Sequence, residues 1–297
     1  MIDIETFGNV EDLHYLDYKY LKTRTKKEQT DEEVEEGLSL NPYLLNIISA
    51  AVTHVEDGEI TKASVYFLSG PAEEEMERIG SVEVFYSPIC RPSVYRDLFE
   101  GEGLLLENFW EEIEGAERIV TYNGRTFDIP VLRLRSMLHG LEIPQSIANF
   151  RPSRGDDFHL DLMDFLSLQN SEHRYTLEFV CRKFGIGPGK QGMDGSKVGP
   201  AFLEGQFFEI AEYNARDTIM TAELYLRLEK YIFPEGRGPE LPATEKQLSY
   251  LADLLVQQNF LWDKNTVKGI LSCLCEKGIL TRNEATSLIG WLKEEEQ

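Results

Sequence analysis

Apolar and polar positions alternate in the first third of the chain and fall at helical spacing over most of the rest. Met1–Ile4 reads as a very short strand. Leu45–Val55 and Ala63–Leu68 read as two strands joined by a turn at Glu56-Asp57-Gly58, a hairpin signal. Gly80–Tyr86 alternates through Val82, Val84 and Tyr86 and predicts a third strand. Between the first strand and the hairpin lies a charged excursion over residues 11–40. Its basic run (Lys19, Lys22, Arg24, Lys26, Lys27) precedes an acidic one (Asp31, Glu32, Glu33, Glu35, Glu36). Beyond residue 100, Leu105, Phe109, Trp110 and Ile113 share one helical face. Arg118–Tyr122 predicts a short buried strand that ends in a turn at Asn123-Gly124. Pro130 sits at the start of the next helix, where a missing N–H does no harm, and Val131–Leu138 continues it. An apolar segment, Phe158–Phe165, is followed by a helix over Leu177–Phe184 that Gly185 stops. The glycine-rich stretch 185–199 reads as a loop, and Phe208–Tyr231 as a long helix.

Prolines and glycines crowd residues 234–242 and mark a linker. It separates a domain over 1–233 from a small helical one over 243–297. In the latter, Thr244 with Gln247 and Thr281 with Glu284 fit the capping-box pattern. Leu248, Leu251 and Leu255 mark one helix there, Val267, Ile270, Leu271 and Leu274 a second, and Leu288, Ile289 and Leu292 a third. The expected architecture is therefore α/β, a mixed sheet flanked by helices, with a small C-terminal all-α domain.

Composition narrows the functional classes. Of 297 residues 42% are apolar, enough for a substantial core, and the net charge is −22 with a pI near 4.7. Non-specific affinity for nucleic acid comes mainly from lysine and arginine on phosphates, so a tight passive binder is not expected. Bound divalent cations would offset part of that charge locally. Cys90, Cys181, Cys273 and Cys275 lack the spacing of a zinc site or a disulfide framework, and a reducing cytoplasm fits them. No apolar run is long enough for a membrane span.

Candidate chemistry lies in carboxylates on separated segments. Asp3 and Glu5 are two apart on a strand and leave the same face. Two carboxylates so placed repel each other unless a cation sits between them, and Mg²⁺ or Mn²⁺ prefers such hard oxygen donors. Asp128 follows the strand Arg118–Tyr122, and Tyr213 and Asp217 share a face of the long helix. If these segments meet, four carboxylates and one phenol surround a pocket able to hold two ions roughly 4 Å apart, the arrangement of two-metal phosphodiester hydrolysis. Asp161 and Asp164 are three apart, a spacing that does not suit one strand face, and are read as structural. No histidine pair has catalytic or zinc spacing.

Together these segments carry a resemblance. Ile2-Asp3-Ile4-Glu5-Thr6, Tyr122-Asn123-Gly124 with Phe127-Asp128, and Tyr213 with Asp217 resemble the three motifs of the DEDD 3′–5′ exonucleases, tyrosine subclass, on an RNase H-like fold. Lys190 with Met193–Val198, and Glu209-Ile210 before Tyr213, are similar to exonucleases related to the proofreading domain of family B DNA polymerases. The similarity covers roughly residues 1–231. It implies that Asp3, Glu5, Asp128 and Asp217 ligate two divalent cations, Mg²⁺ or Mn²⁺, with Asp3 bridging, and that Tyr213 orients the attacking water. It implies that Thr6 and Phe7 face the terminal nucleotide and that Asn123 and Phe127 contact the strand. Lys190 and Lys197 would hold phosphate. The expected substrate is the 3′ end of single-stranded nucleic acid, DNA before RNA. An exoribonuclease and a non-catalytic module that binds nucleic acid or a partner stay open. The helical tail is expected to take a protein partner, position substrate or cover an apolar patch.

Overall fold

The N-terminal alternation forms a six-residue strand, β1 (Ile2–Phe7), longer than the pattern predicts. It pairs antiparallel with β2 (Asn46–Glu56) along its whole length, Asp3 opposite Ala51 and Glu5 opposite Ser49. The Thr53 N–H extends the ladder by donating to the Met1 carbonyl at 2.9 Å. Register shifts after Glu5, where Ile48 is the extra residue of a bulge on β2. β2 turns into β3 (Glu59–Ser69) through Asp57 and Gly58, whose φ values of 50° and 80° suit a primed two-residue hairpin. β5 (Val82–Cys90) joins β3 in parallel, and β4 (Glu75–Ile79) pairs antiparallel with β5 at the sheet's edge. The strand order is β1-β2-β3-β5-β4. β4 has no counterpart in the apolar pattern because it is an exposed edge strand rich in charge, a common guard against edge pairing. Two short parallel strands, β6 (Ile119–Thr121) and β7 (His159–Asp161), form a second sheet, and β6 lies against β1.

This computed structural model describes residues 1–23, 29–90, 98–144, 147, 158–167, 173–187, 192–232, 245–257, 263–276, 285, 288, 289 and 292. Lys190, the linker 234–242, the caps Thr244, Thr281 and Glu284, and the basic residues Arg24, Lys26 and Lys27 lie outside them.

The charged excursion is not irregular. It holds α1 (Tyr15–Thr23) and α2 (Asp31–Leu38), the latter opened by a Thr30–Glu33 capping box, and Leu21, Val34 and Leu38 close a small core beneath them. α3 (Leu98–Glu112) crosses β2 and β3 and buries Leu105, Leu106, Phe109 and Trp110. α4 (Asp128–His139) ends on Gly140 at φ 69°, a left-handed cap. The two helices are joined by the fully buried Glu102, whose carboxylate accepts from Arg135 Nε at 2.8 Å and from the Ile47 N–H at 2.8 Å, with His139 Nε2 at 2.9 Å. Then follow α5 (Leu162–Leu166), α6 (Leu177–Lys183), α7 (Gly195–Leu203) and α8 (Phe207–Ile232). The loop expected over 185–199 therefore ends sooner. Asp194 caps α7 by accepting from the Ser196 N–H at 3.1 Å, and residues 195–199 are helical despite their glycines.

One core gathers Ile2, Ile4 and Ile48 with α3 and α4, and a second sets Ala211, Ala215 and Ile219 of α8 against Ala51, Val65 and Val84. The small alanines bring α8 close to the sheet, and Thr218 and Thr53 join their hydroxyls at 2.9 Å. The architecture is the expected RNase H-like α/β one: a mixed sheet flanked by helices. The chain divides into two compact units, Met1–Leu228 and Glu229–Gln297. In the second, α9 (Glu245–Gln257) and α10 (Lys264–Glu276) bury Leu248, Leu251, Val267 and Leu271 with Ala285 and Leu292. Among the described residues no helix is long and apolar enough to cross a membrane.

Candidate active site

On β1, alternation sends Ile2 and Ile4 into the core and leaves Asp3 and Glu5 partly exposed on the other face. Beyond the bulge the pattern breaks. Phe7 is buried and packs on Phe202, ring centroids 4.8 Å apart, while the Thr6 hydroxyl donates to the Ser39 carbonyl at 2.7 Å. Phe7 is thus a core residue, and Thr6 ties β1 to the end of α2.

Asp128 arrives on a loop held by its own backbone. Asn123 adopts a left-handed φ of 71°. The buried Asp161 carboxylate accepts from the Asn123 N–H at 3.0 Å and the Arg125 N–H at 2.9 Å, and from Met163 N at the start of α5. Gly124 donates to Thr121 Oγ1 at 3.2 Å, and a Cβ there would meet the Thr121 side chain at 2.5 Å, so only glycine fits. Thr121 Oγ1 lies 2.9 Å from His159 Nε2. Burial lowers the pKa of that imidazole to about 4, with Arg125 adding to the shift, and keeps it neutral at pH 7. Asp128 then opens α4 at 5% exposure. Burial pushes its carboxyl up to about 7, Asp161 adds to the rise, and the Ile4 N–H, hydrogen-bonded to Asp128, works against it. That bond joins the loop to β1 between Asp3 and Glu5.

α8 supplies Tyr213 and Asp217, both at 8% exposure. The phenol donates to Asp217, and its pKa is raised well beyond the ordinary tyrosine range. Burial is the largest cause, followed by the charges of Glu5, Asp217 and Asp3. One phenol therefore feels carboxylates from β1 and α8 together. Tyr213 and Asp217 also line a groove of about 890 Å³ that reaches Met193 and Lys197 of the α7 region and Glu77–Gly80 at β4. Lys197 Nζ donates to the Gly192 carbonyl at 2.6 Å and pairs with Asp194 at 3.3 Å. Phe127 is partly buried against the main core, and Asn123 Oδ1 accepts from the Thr126 hydroxyl at 3.0 Å.

Among the described residues no group of three or more Asp, Glu, His or Cys side chains is arranged to hold a metal ion. The donor chemistry around Tyr213 fits a hard divalent cation, since it consists of carboxylates alone.

Asp161 and Asp164, read as structural, build the loop that carries Asp128. Asp164 pairs with Arg125 at 2.9 Å and Arg174 at 2.7 Å. Arg125 and Arg174 had no signal in the apolar pattern, because their partners lie far along the chain.

Residues 93–237 match a family model described as a predicted 3′–5′ exonuclease related to the exonuclease domain of PolB. That match covers just under half of the chain, and the activity it names is that of the family model. The matched segment holds Asp128, Tyr213 and Asp217, while β1 with Asp3 and Glu5 precedes it. The chain is also similar to the catalytic subunit of DNA polymerase epsilon from Schizosaccharomyces pombe, 29% identical over 146 residues. That alignment covers 44% of this chain and 6% of the polymerase. DNA polymerase 1 of Sulfurisphaera ohwakuensis is 28% identical over 149 residues, 46% of this chain and 16% of that one. The chain thus corresponds to a small part of each curated relative.

Proposed function

We propose that the chain hydrolyses single-stranded nucleic acid, DNA by preference, from the 3′ end, with Asp3, Glu5, Asp128 and Asp217 as ligands for two divalent cations, Mg²⁺ or Mn²⁺. The observation that carries this reading is the environment of Tyr213, where Asp3, Glu5 and Asp217 bear on one buried phenol while Asp128 is bonded to Ile4 between the first two. Two cations there would supply Lewis-acid charge that activates water and neutralises the phosphodiester. The four carboxylates would hold that charge and balance it. Tyr213 keeps its proton at neutral pH, since a phenol ordinarily titrates at about 10. It therefore orients water by hydrogen bonding and does not take up a proton as a base. The DNA preference rests on relatives that are DNA polymerases.

The test is hydrolysis of matched single-stranded DNA and RNA oligonucleotides carrying an internal label, with Mn²⁺ and with chelator. The reading expects metal-dependent release of nucleoside 5′-monophosphates from the 3′ end, lost in Asp3→Ala. Intact oligonucleotide under every condition would sink it, and equal or faster loss of RNA would reverse the substrate preference.

A further inference from the structure

A nucleic-acid strand needs cations for its phosphates and flat faces for its bases, and cations are scarce in a chain of net charge −22. One surface outside the groove supplies both. Tyr175, just before α6, is 49% exposed, and its ring stacks on Phe179 with centroids 4.9 Å apart and planes 27° apart. Lys183 Nζ lies 5.3 Å, and the Arg182 guanidinium 6.0 Å, from the centre of the Phe179 ring. Thr176 caps α6 by accepting from the Phe179 N–H at 3.3 Å, and Leu177, Val180 and Cys181 anchor its other side in the interior. Packing accounts for those three apolar residues. It does not account for an aromatic ring half in water, held flat by a second ring with two cations beside it.

The surface is joined to the loop that carries Asp128. The Tyr122 hydroxyl donates to the Tyr175 carbonyl at 2.7 Å, and Arg174 reaches Asp164 at 2.7 Å and Asn123 Oδ1 at 3.5 Å. Among the described residues, Arg125 and Arg174 pair with Asp164, and Arg182 pairs with Glu178. We propose that this surface is the track for the strand upstream of the bond to be cut, with a base stacked on Tyr175 and phosphates paired with Arg174, Arg182 and Lys183. The role of the track in hydrolysis rests on the exonuclease reading above; its binding of a strand does not. From Tyr175 to Lys183 the track runs about 12 Å at helical rise, so a dinucleotide seated among the carboxylates does not span it.

The test measures binding by the full chain in Ca²⁺ and separately in chelator, by fluorescence anisotropy, with a labelled dinucleotide and a single strand of roughly twelve nucleotides. Tyr175→Ala is expected to weaken binding of the long strand about tenfold and Tyr175→Phe to preserve it. Arg182→Ala with Lys183→Ala is expected to lower the slope of log affinity against log salt by about 1.4, roughly 0.7 for each phosphate contact removed from a single strand. Unchanged affinity and slope in these variants would overturn the proposal. So would an equal loss for dinucleotide and long strand, or a surface that binds an acidic peptide in place of the strand. Failure of the wild-type chain to hydrolyse any strand would strike the exonuclease reading and leave the binding result to stand.

Discussion

Two surfaces border the carboxylates, and they carry opposite charge. The groove beside Tyr213 and Asp217 is lined by Glu77, Glu204, Glu209, Glu212 and Glu223 as well as Asp217, against Arg78, Lys197 and Arg216. All three of those cations are engaged, by Glu83, Asp194 and Glu212 respectively. Among the described residues the α6 surface has more cations than acids and a half-exposed aromatic ring. The difference teaches that net charge is a poor guide to a polyanion's approach when charge is unevenly distributed. On the proposed reading a chain of −22 admits a strand along one path, while the acidic lining of the groove would disfavour phosphates on the other.

The largest expected effect tests what the two surfaces share. Asp217→Asn or Asp3→Ala should lower the rate of 3′-end hydrolysis on the order of a thousandfold, since Lewis-acid stabilisation is worth several kcal/mol. Strand binding through α6 should survive in both variants, as anisotropy would read. A variant that loses binding as well would merge the two functions into one site. Next, Glu102→Ala should cost about 3–5 kcal/mol of stability by stranding Arg135 in the interior, read from denaturant unfolding. It lies under neither surface, so the folded fraction should bind strand as the wild type does.

A pH experiment probes the base of the loop alone. The folded pKa of His159, about 4, is below its unfolded value near 6.5, so the unfolded chain takes up the proton first. The stability contributed by neutral His159 is therefore full above about pH 6.5 and falls as pH drops toward 4. Asp128 acts with the opposite sign, because its raised pKa makes the folded chain bind a proton more readily than the unfolded one. The expected signature is a difference: between pH 7 and 5 the wild type should lose roughly 1–2 kcal/mol relative to His159→Gln. Parallel denaturation profiles for the two proteins would remove His159 as the cause. The smallest effect concerns the groove. Glu212→Gln with Glu223→Gln should raise single-strand affinity less than about threefold, as expected of charges that a strand passes at a distance. A tenfold rise would place the strand in the groove and invert the comparison.

Much of this was legible in the chain before its fold. The β2–β3 hairpin followed from alternation and from Asp57-Gly58, because turn chemistry and strand period are local properties. Tyr213 and Asp217 were legible as a pair because four residues is one helical turn. The α6 surface was not, since its link to the site depends on Tyr122 and Arg174 finding partners some fifty residues away in sequence. Nor was the role of Asp161, whose carboxylate is shared between a loop and a helix start. β4 escaped because an edge strand needs no apolar face, and α7 because its glycines mask a helix that Asp194 caps. Phe7 shows the opposite failure: a bulge on the neighbouring strand redirects a residue whose own sequence context looks regular.

The pairing of β1 with β2 has a consequence for how the chain finds its fold. A slip of one residue would turn Ile2 and Ile4 toward water and drive Asp3 and Glu5 into the hydrocarbon interior. Burying two unpaired carboxylates is costly enough to reject that mispairing during folding. The acids that make up half of the proposed metal cage thus also act as a spelling check on the first strand. Replacing both with apolar residues would silence the chemistry and make the misaligned strand a competitor of the native one.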